Sequence, residues 1–186
     1  MKKLIIISLG IFITTLLVVA IVWSTTTGRS LDECFFGACC GILYLTGKYL
    51  GFTYKEICVI VNIYLEAGLC LLSALWVSWT AIKGFIHRKT LASGLLMATG
   101  IVYGLAYIGV FLWICQHYAM PMNDAFDLCY NELIQLAIDY HTTYNNVNYA
   151  IFILLFLAIT IGNTLLVKLL LIKQHKNLVE NPRNDK

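Results

Sequence analysis

The chain has 186 residues, of which 60% are hydrophobic and 12% charged, with a formal net charge of +3 and a mean hydropathy of +0.79. A soluble globular chain carries about 25% charged residues, so a water-soluble domain is excluded and a polytopic membrane protein remains. Two prolines and no Gly/Ser/Pro-rich stretch leave no linker or disordered module, and the absence of a basic stripe or recognised motif excludes a nucleic-acid partner.

The expected fold is an all-α integral membrane protein forming one domain, residues 1–186. Four transmembrane helices are placed at about 4–23, 57–82, 91–115 and 147–172. Outer loops fill 24–56 and 116–146, each with an amphipathic or re-entrant helix, and 173–186 form a frayed cytoplasmic tail.

Residues 4–23 follow Lys2 and Lys3. This 20-residue apolar region exceeds the roughly 7–15 of a signal peptide, and no Ala-x-Ala site follows. The stretch reads as a retained anchor, with a cleaved leader as the alternative. In the first outer loop, Ser30-Leu31-Asp32-Glu33 has the form of a capping box, so a helix starts at Leu31. Cys34 to Leu45 carries no charge, but 12 residues are too few to span. An interfacial or re-entrant helix ending near Gly47 is expected.

The second span opens on another capping box, Thr53-Tyr54-Lys55-Glu56. Its run from Ile57 to Ile82 is 26 residues with one formal charge, Glu66, long enough to cross a ~30 Å hydrocarbon layer with tilt. Twelve Leu, Ile or Val residues in it outweigh one central acid on insertion scales. The acid then needs a partner or a proton. Cys58, Asn62, Glu66, Cys70, Ser73 and Thr80 recur at i+3/i+4 steps, with Val77 between. This spacing predicts one polar helix face turned to other helices or to water.

A short basic loop, Lys83 to Lys89, precedes the third span. There Gly100-Ile101-Val102-Tyr103-Gly104 is a GxxxG that lets helices approach closely, first within the bundle and alternatively in a homo-oligomer. The second outer loop has four acids, Asp124, Asp127, Glu132 and Asp139, and no Lys or Arg. Asn123 is the expected N-cap, with Asp124 in the first turn. Phe126, Cys129, Tyr130, Leu133, Leu136, Ala137 and Tyr140 make the helix amphipathic. In the fourth span Asn163 and Thr164 sit in the inner half, and Lys168 snorkels.

Positive residues orient the chain. Lys2, Lys3, the 83–89 loop and the tail belong in the cytoplasm, with both loops outside and both termini inside. In a bacterium this is the inner membrane. The halves also compare. Asp32-Glu33-Cys34 and Asp127-Leu128-Cys129 fall early in the two outer helices. Phe52-Thr53-Tyr54 and Thr142-Thr143-Tyr144 precede spans two and four. We read a 2+2 duplication about an axis along the membrane normal.

Seven cysteines are present, six of them in outer segments or at outer helix ends, the side where disulfides persist. A Cys34–Cys129 bridge between the loops is the expected pairing, with Cys115–Cys129 and Cys39 or Cys40 with Cys129 as competing pairs, against small apolar packing of these residues. The layout resembles the periplasmic quinone-linked oxidases that regenerate disulfides, which are also small four-span proteins with inside termini and cysteines in both outer loops. The resemblance covers architecture and cysteine sidedness. Those enzymes carry a Cys-x-x-Cys in the first outer loop, where this chain has Cys34, Cys39 and Cys40.

The candidate polar focus is Asn62, Glu66, Cys70 and Ser73 with Tyr103 and Tyr107 at similar depth. One reading is a hydrogen-bonded glue, and the other is proton or cation handling. No metal site is expected, since no His pair, CxxC or HExxH occurs. No catalytic residues are assigned and no cofactor is expected; a quinone enters only under the oxidoreductase alternative. The expected function is a non-catalytic accessory, immunity-like or scaffold protein that presents an extracytoplasmic cap to a protein partner. The alternatives are a thiol–disulfide oxidoreductase and a small transporter or channel subunit centred on Glu66.

Overall fold

The computed structural model describes the backbone of residues 2–88 and 90–180 and the side chains of 14, 15, 17–31, 33–86 and 90–173. The described chain is helical throughout, without strands. In order come α1 (Lys2–Thr27), α2 (Leu31–Leu50), α3 (Tyr54–Cys58), a π-helical stretch π1 (Val59–Leu65), α4 (Glu66–Arg88) and α5 (Leu91–His117). Then follow α6 (Met122–Asp139), α7 (Tyr144–Asn148), π2 (Tyr149–Leu155) and α8 (Phe156–Glu180). Among the described residues three helices are long and apolar enough to cross a membrane: Tyr54–Ile86, Leu91–His117 and Tyr144–Lys173. The described apolar part of α1, Leu17–Thr27, is shorter. Of the positive residues expected to orient the chain, Lys2, Lys3, Arg88, Lys89, Lys176, Arg183 and Lys186 have side chains outside the described residues.

Two compact units make up the chain. The first, Met1–Val59 with Met122–Asn148, holds α1, α2, α3, α6 and α7. Its core contains Cys34, Ile57, Val59, Ala125 and Leu133, each at most 4% exposed. Aromatic rings cross-link its helices. Phe36 of α2 meets Tyr144 of α7 edge-on at 6.0 Å, and Phe126 of α6 meets Tyr54 of α3 at 6.2 Å. Lys55 Nζ donates to Asp127 Oδ1 at 2.6 Å and lies 5.4 Å from the centre of the Phe126 ring.

The second unit, Ile60–Pro121 with Tyr149–Lys186, holds most of each helix able to span. Here α4 packs on both α5 and α8. Small residues let α5 come close: a Cβ at Gly100 would stand 2.8 Å from Ala81 Cβ, and one at Gly104 would stand 2.6 Å from Ser78 Oγ. The GxxxG face is thus taken up by α4. Leu95, Val102, Leu105 and Leu112 on α5 are each at least 60% exposed, a surface suited to lipid.

Helix ends explain where the chain turns. Thr53 caps α3 in a full box, with Glu56 N–H donating to Thr53 Oγ1 at 3.3 Å and Thr53 N–H to Glu56 Oε2 at 2.7 Å. Before it, α2 ends on Gly51 at φ 82°, and the Phe52 N–H donates to the Gly47 carbonyl at 2.8 Å. This is a Schellman closure on Gly51, and α2 runs to Leu50, past the end expected near Gly47. The second loop repeats the device: His141 has φ 50°, the Thr142 N–H donates to the Ala137 carbonyl at 2.9 Å, and the Asn146 N–H to Thr143 Oγ1 at 3.3 Å.

Other expectations shift. Ser30 is the N-cap of α2, but its side chain makes no cap hydrogen bond; at this exposed end water can satisfy the first amides. α6 begins at Met122, one residue before the expected cap Asn123, while Asp124 keeps its place in the first turn. The 83–89 loop is helical through Arg88, and α8 continues to Glu180 into the expected frayed tail. Lys83 and Arg88 in the first stretch, and Lys173, Gln174, Lys176, Leu178 and Glu180 in the second, are good helix formers.

The left-handed positions carry a stability prediction. Gly51→Ala should destabilise by about 1–2 kcal/mol, the cost of αL for a residue with a Cβ. His141→Gly should stabilise by about 0.5–1 kcal/mol, since relief of that strain exceeds the added unfolded-state entropy. Thermal unfolding in detergent measures both, and opposite signs are the expected result.

Candidate functional site

Polar side chains at membrane depth in the second unit converge on Asn163. This residue is 2% exposed, in the middle of an otherwise apolar stretch of α8. Tyr103 Oη on α5 donates to Asn163 Oδ1 at 2.6 Å, and Asn163 Nδ2 donates to Ser73 Oγ on α4 at 2.8 Å. Ser73 Oγ in turn donates to the Cys70 carbonyl at 2.7 Å. The Tyr107 and Tyr103 hydroxyls are 3.4 Å apart. Because the Tyr103 proton is committed to Asn163, Tyr107 is the donor of that contact. Tyr103 and Tyr107 are one turn apart, with rings 4.9 Å apart. One amide thereby ties α4, α5 and α8 together.

Glu66 is the first residue of α4, directly after π1. Cys70, one turn on, is its electrostatic neighbour, and Cys70 is in turn within reach of Tyr107. Among the described residues Glu66 has no hydrogen bond or ion pair. Asn62 lies inside π1 and likewise makes no side-chain hydrogen bond among the described residues. The structure therefore brings Ser73, Cys70, Tyr103 and Tyr107 together, with Glu66 at the edge and Asn62 apart.

The predicted single polar stripe is divided by π1. A π turn holds more residues than an α turn, and each extra residue rotates the following face by about 100°. Cys58, before the π stretch, joins the first unit. The Tyr54 hydroxyl lies within electrostatic reach of the side chains of Cys40 and Cys58. Cys129 lies within electrostatic reach of Cys58 and Tyr144. All seven cysteines are free thiols, with Cys34 buried and Cys129 partly so. Burial, and next the neighbouring Cys40, hold the Cys39 thiol above its ordinary range, which makes it a poor nucleophile.

What the membrane site can do follows from its donors. A proton wire needs groups that both accept and release protons. Asn163 accepts at one atom and donates from another, and its amide N–H is not released at biological pH. A proton passed along the tyrosines stops at Asn163, so the arrangement works as a tie. Sequence reading placed Asn163 in the fourth span without assigning it a partner. The available signal was a lone amide in an apolar helix, which has to find partners in lipid.

Among the described residues no three His, Cys, Asp or Glu side chains gather to hold a metal ion. Comparison with protein-family models, with curated proteins and with solved structures finds no match.

Asn163→Leu should cost about 1–2 kcal/mol, two membrane hydrogen bonds at the roughly 0.6–1.7 kcal/mol each that such bonds contribute. A double-mutant cycle with Tyr103→Phe, read by reversible unfolding in bicelles, should return a coupling of about 1 kcal/mol. Coupling near zero would remove the tie as an energetic element.

Proposed function

We propose that the chain crosses the membrane four times, with α1 as the remaining span, and that it is an accessory protein presenting its outer helices to a protein partner. Both termini lie in the cytoplasm and the cap formed by α2, α3, α6 and α7 lies outside, at the inner membrane in a bacterial cell. The chain's two halves read as copies at a spacing of 90 residues, the separation of the bonded pair Ser73 and Asn163. Support comes from Gly51 and His141, from the Thr53 and Thr143 caps, and from π1 and π2, which hold the same register. At this spacing Cys129 corresponds to Cys39.

The observation that carries the accessory role is the chemistry of α6. Its apolar side is held in the aromatic core, and Asp124, Asp127 and Asp139 are exposed. Among the described residues, Asp127 alone of these three has an ion-pair partner. Such a surface suits a basic partner patch, and electrostatic complementarity sets encounter and specificity.

The double variant Asp124→Lys/Asp139→Lys tests this. A partner that co-purifies stoichiometrically with the wild type should be lost, while the melting temperature stays within a few degrees. Retention of the partner would overturn the α6 assignment.

A second reading, thiol–disulfide exchange, is favoured by the convergence of Cys40, Cys58 and Cys129 around Tyr54 and Tyr144. The Cys34–Cys129 bridge belongs to the same reading. Peptide mapping after thiol blocking distinguishes them: free thiols throughout, in protein taken from an oxidising compartment, are expected of an accessory protein. A bridge among these cysteines would favour redox chemistry.

A further inference from the structure

The second half of α2 carries an apolar face left open within its own unit. Ile42, Leu45 and Tyr49 follow helical spacing and are 36%, 64% and 90% exposed, with Leu50 beside them at 55%. The exposed Lys48 sits in the same turn. No acidic residue occurs between Glu33 and Glu56. We propose that this face docks into the headgroup–acyl boundary of the lipid bilayer, making α2 a membrane-surface helix.

Chain length sets the location. Between Leu50 and Tyr54 there are only Gly51, Phe52 and Thr53, and Tyr54 begins a 33-residue helix apolar enough to span. Four peptide steps reach at most about 14 Å, and the Schellman turn at Gly51 shortens that reach. The end of α2 is therefore held close to the membrane boundary. Its side chains match that zone: aliphatic groups enter the acyl edge, tyrosine rings sit at headgroup level, and a lysine stem lies along the apolar surface with its ammonium among phosphates. The other tethered cap helix differs. α6 sits between His117 and Tyr144 on short turns, yet its exposed positions include three aspartates, which suit water.

A protein occupant fits less well. A stable pair buries roughly 800 Å² per partner over some 20–30 residues, and four side chains on one helix fall short of that. The absence of acids favours phosphate-bearing lipid over a basic protein surface. This inference stands apart from the partner assigned to α6.

Site-specific photocrosslinking decides it. Full-length protein carrying p-benzoylphenylalanine in place of Leu45 or Tyr49 is irradiated in phosphatidylethanolamine/phosphatidylglycerol nanodiscs and in native membranes, and the adducts are identified by intact mass. Phospholipid adducts are expected at both positions, at yields within about two-fold of a control at Leu154, which is 63% exposed on a spanning helix. They should exceed several-fold the yield from a label at the exposed Asn131 of α6. Adducts to a second copy or to another protein would overturn the proposal. So would unreacted label at both positions while the Leu154 control reacts.

Discussion

A polar group inside lipid must find its partner within the protein, and this constraint shapes the second unit. Water is not available there, so an unpaired amide or hydroxyl costs several kcal/mol. Asn163 answers the constraint by using both ends of its side chain, one toward Tyr103 and one toward Ser73. The Tyr64 hydroxyl donates to the Tyr118 carbonyl at 2.9 Å, and several serine and threonine hydroxyls turn back on their own helices. Ser78 donates to the Ala74 carbonyl, Thr80 to Trp76 and Thr160 to Phe156. No buried side-chain nitrogen or oxygen among the described residues lacks a partner. Close approach at Gly100 and Gly104 then follows a polar arrangement that is already satisfied.

The same demand applies to the backbone where helices end near the membrane. Four carbonyls at each helix C-terminus and four amides at each N-terminus lose their partners. Between α2 and α3 the chain satisfies them with a left-handed residue, a returning amide and a threonine cap in three positions. Between α6 and α7 it does so again with a histidine in the left-handed place. These compact turns leave little slack, so α2 and α6 stay beside the helices they join. The aromatic pairs Phe36–Tyr144 and Phe126–Tyr54 then lock one cap segment to the other.

Local signals in the sequence carried well. Thr53 and Glu56 form the expected box, α2 starts at Leu31, and the apolar runs 57–82, 91–115 and 147–172 fall inside helices of spanning length. Periodicity failed where its premise failed. A stripe counted at 3.6 residues per turn assumes unbroken α geometry, and nothing in Val59–Leu65 announces a wider turn. Helix ends at Arg88 and Glu180 are not legible in hydropathy, because charge marks where an apolar run stops while charged residues can still prolong the helix. Asn163 was visible as an oddity. Its partners lie 60 and 90 positions away, beyond any local pattern.

The hydrogen bond from Asn163 to Ser73 joins residues at the spacing that also separates the two left-handed turns. In a dimer of identical chains, a residue on the symmetry axis meets its own duplicate, and any bond there must be self-complementary. Serine facing asparagine breaks that rule. Within one continuous polypeptide the two positions can differ, so one supplies an amide and the other a hydroxyl, and the third helix can claim the amide oxygen. Under the proposed duplication, the covalent link gives the bundle a directed contact that exact symmetry forbids.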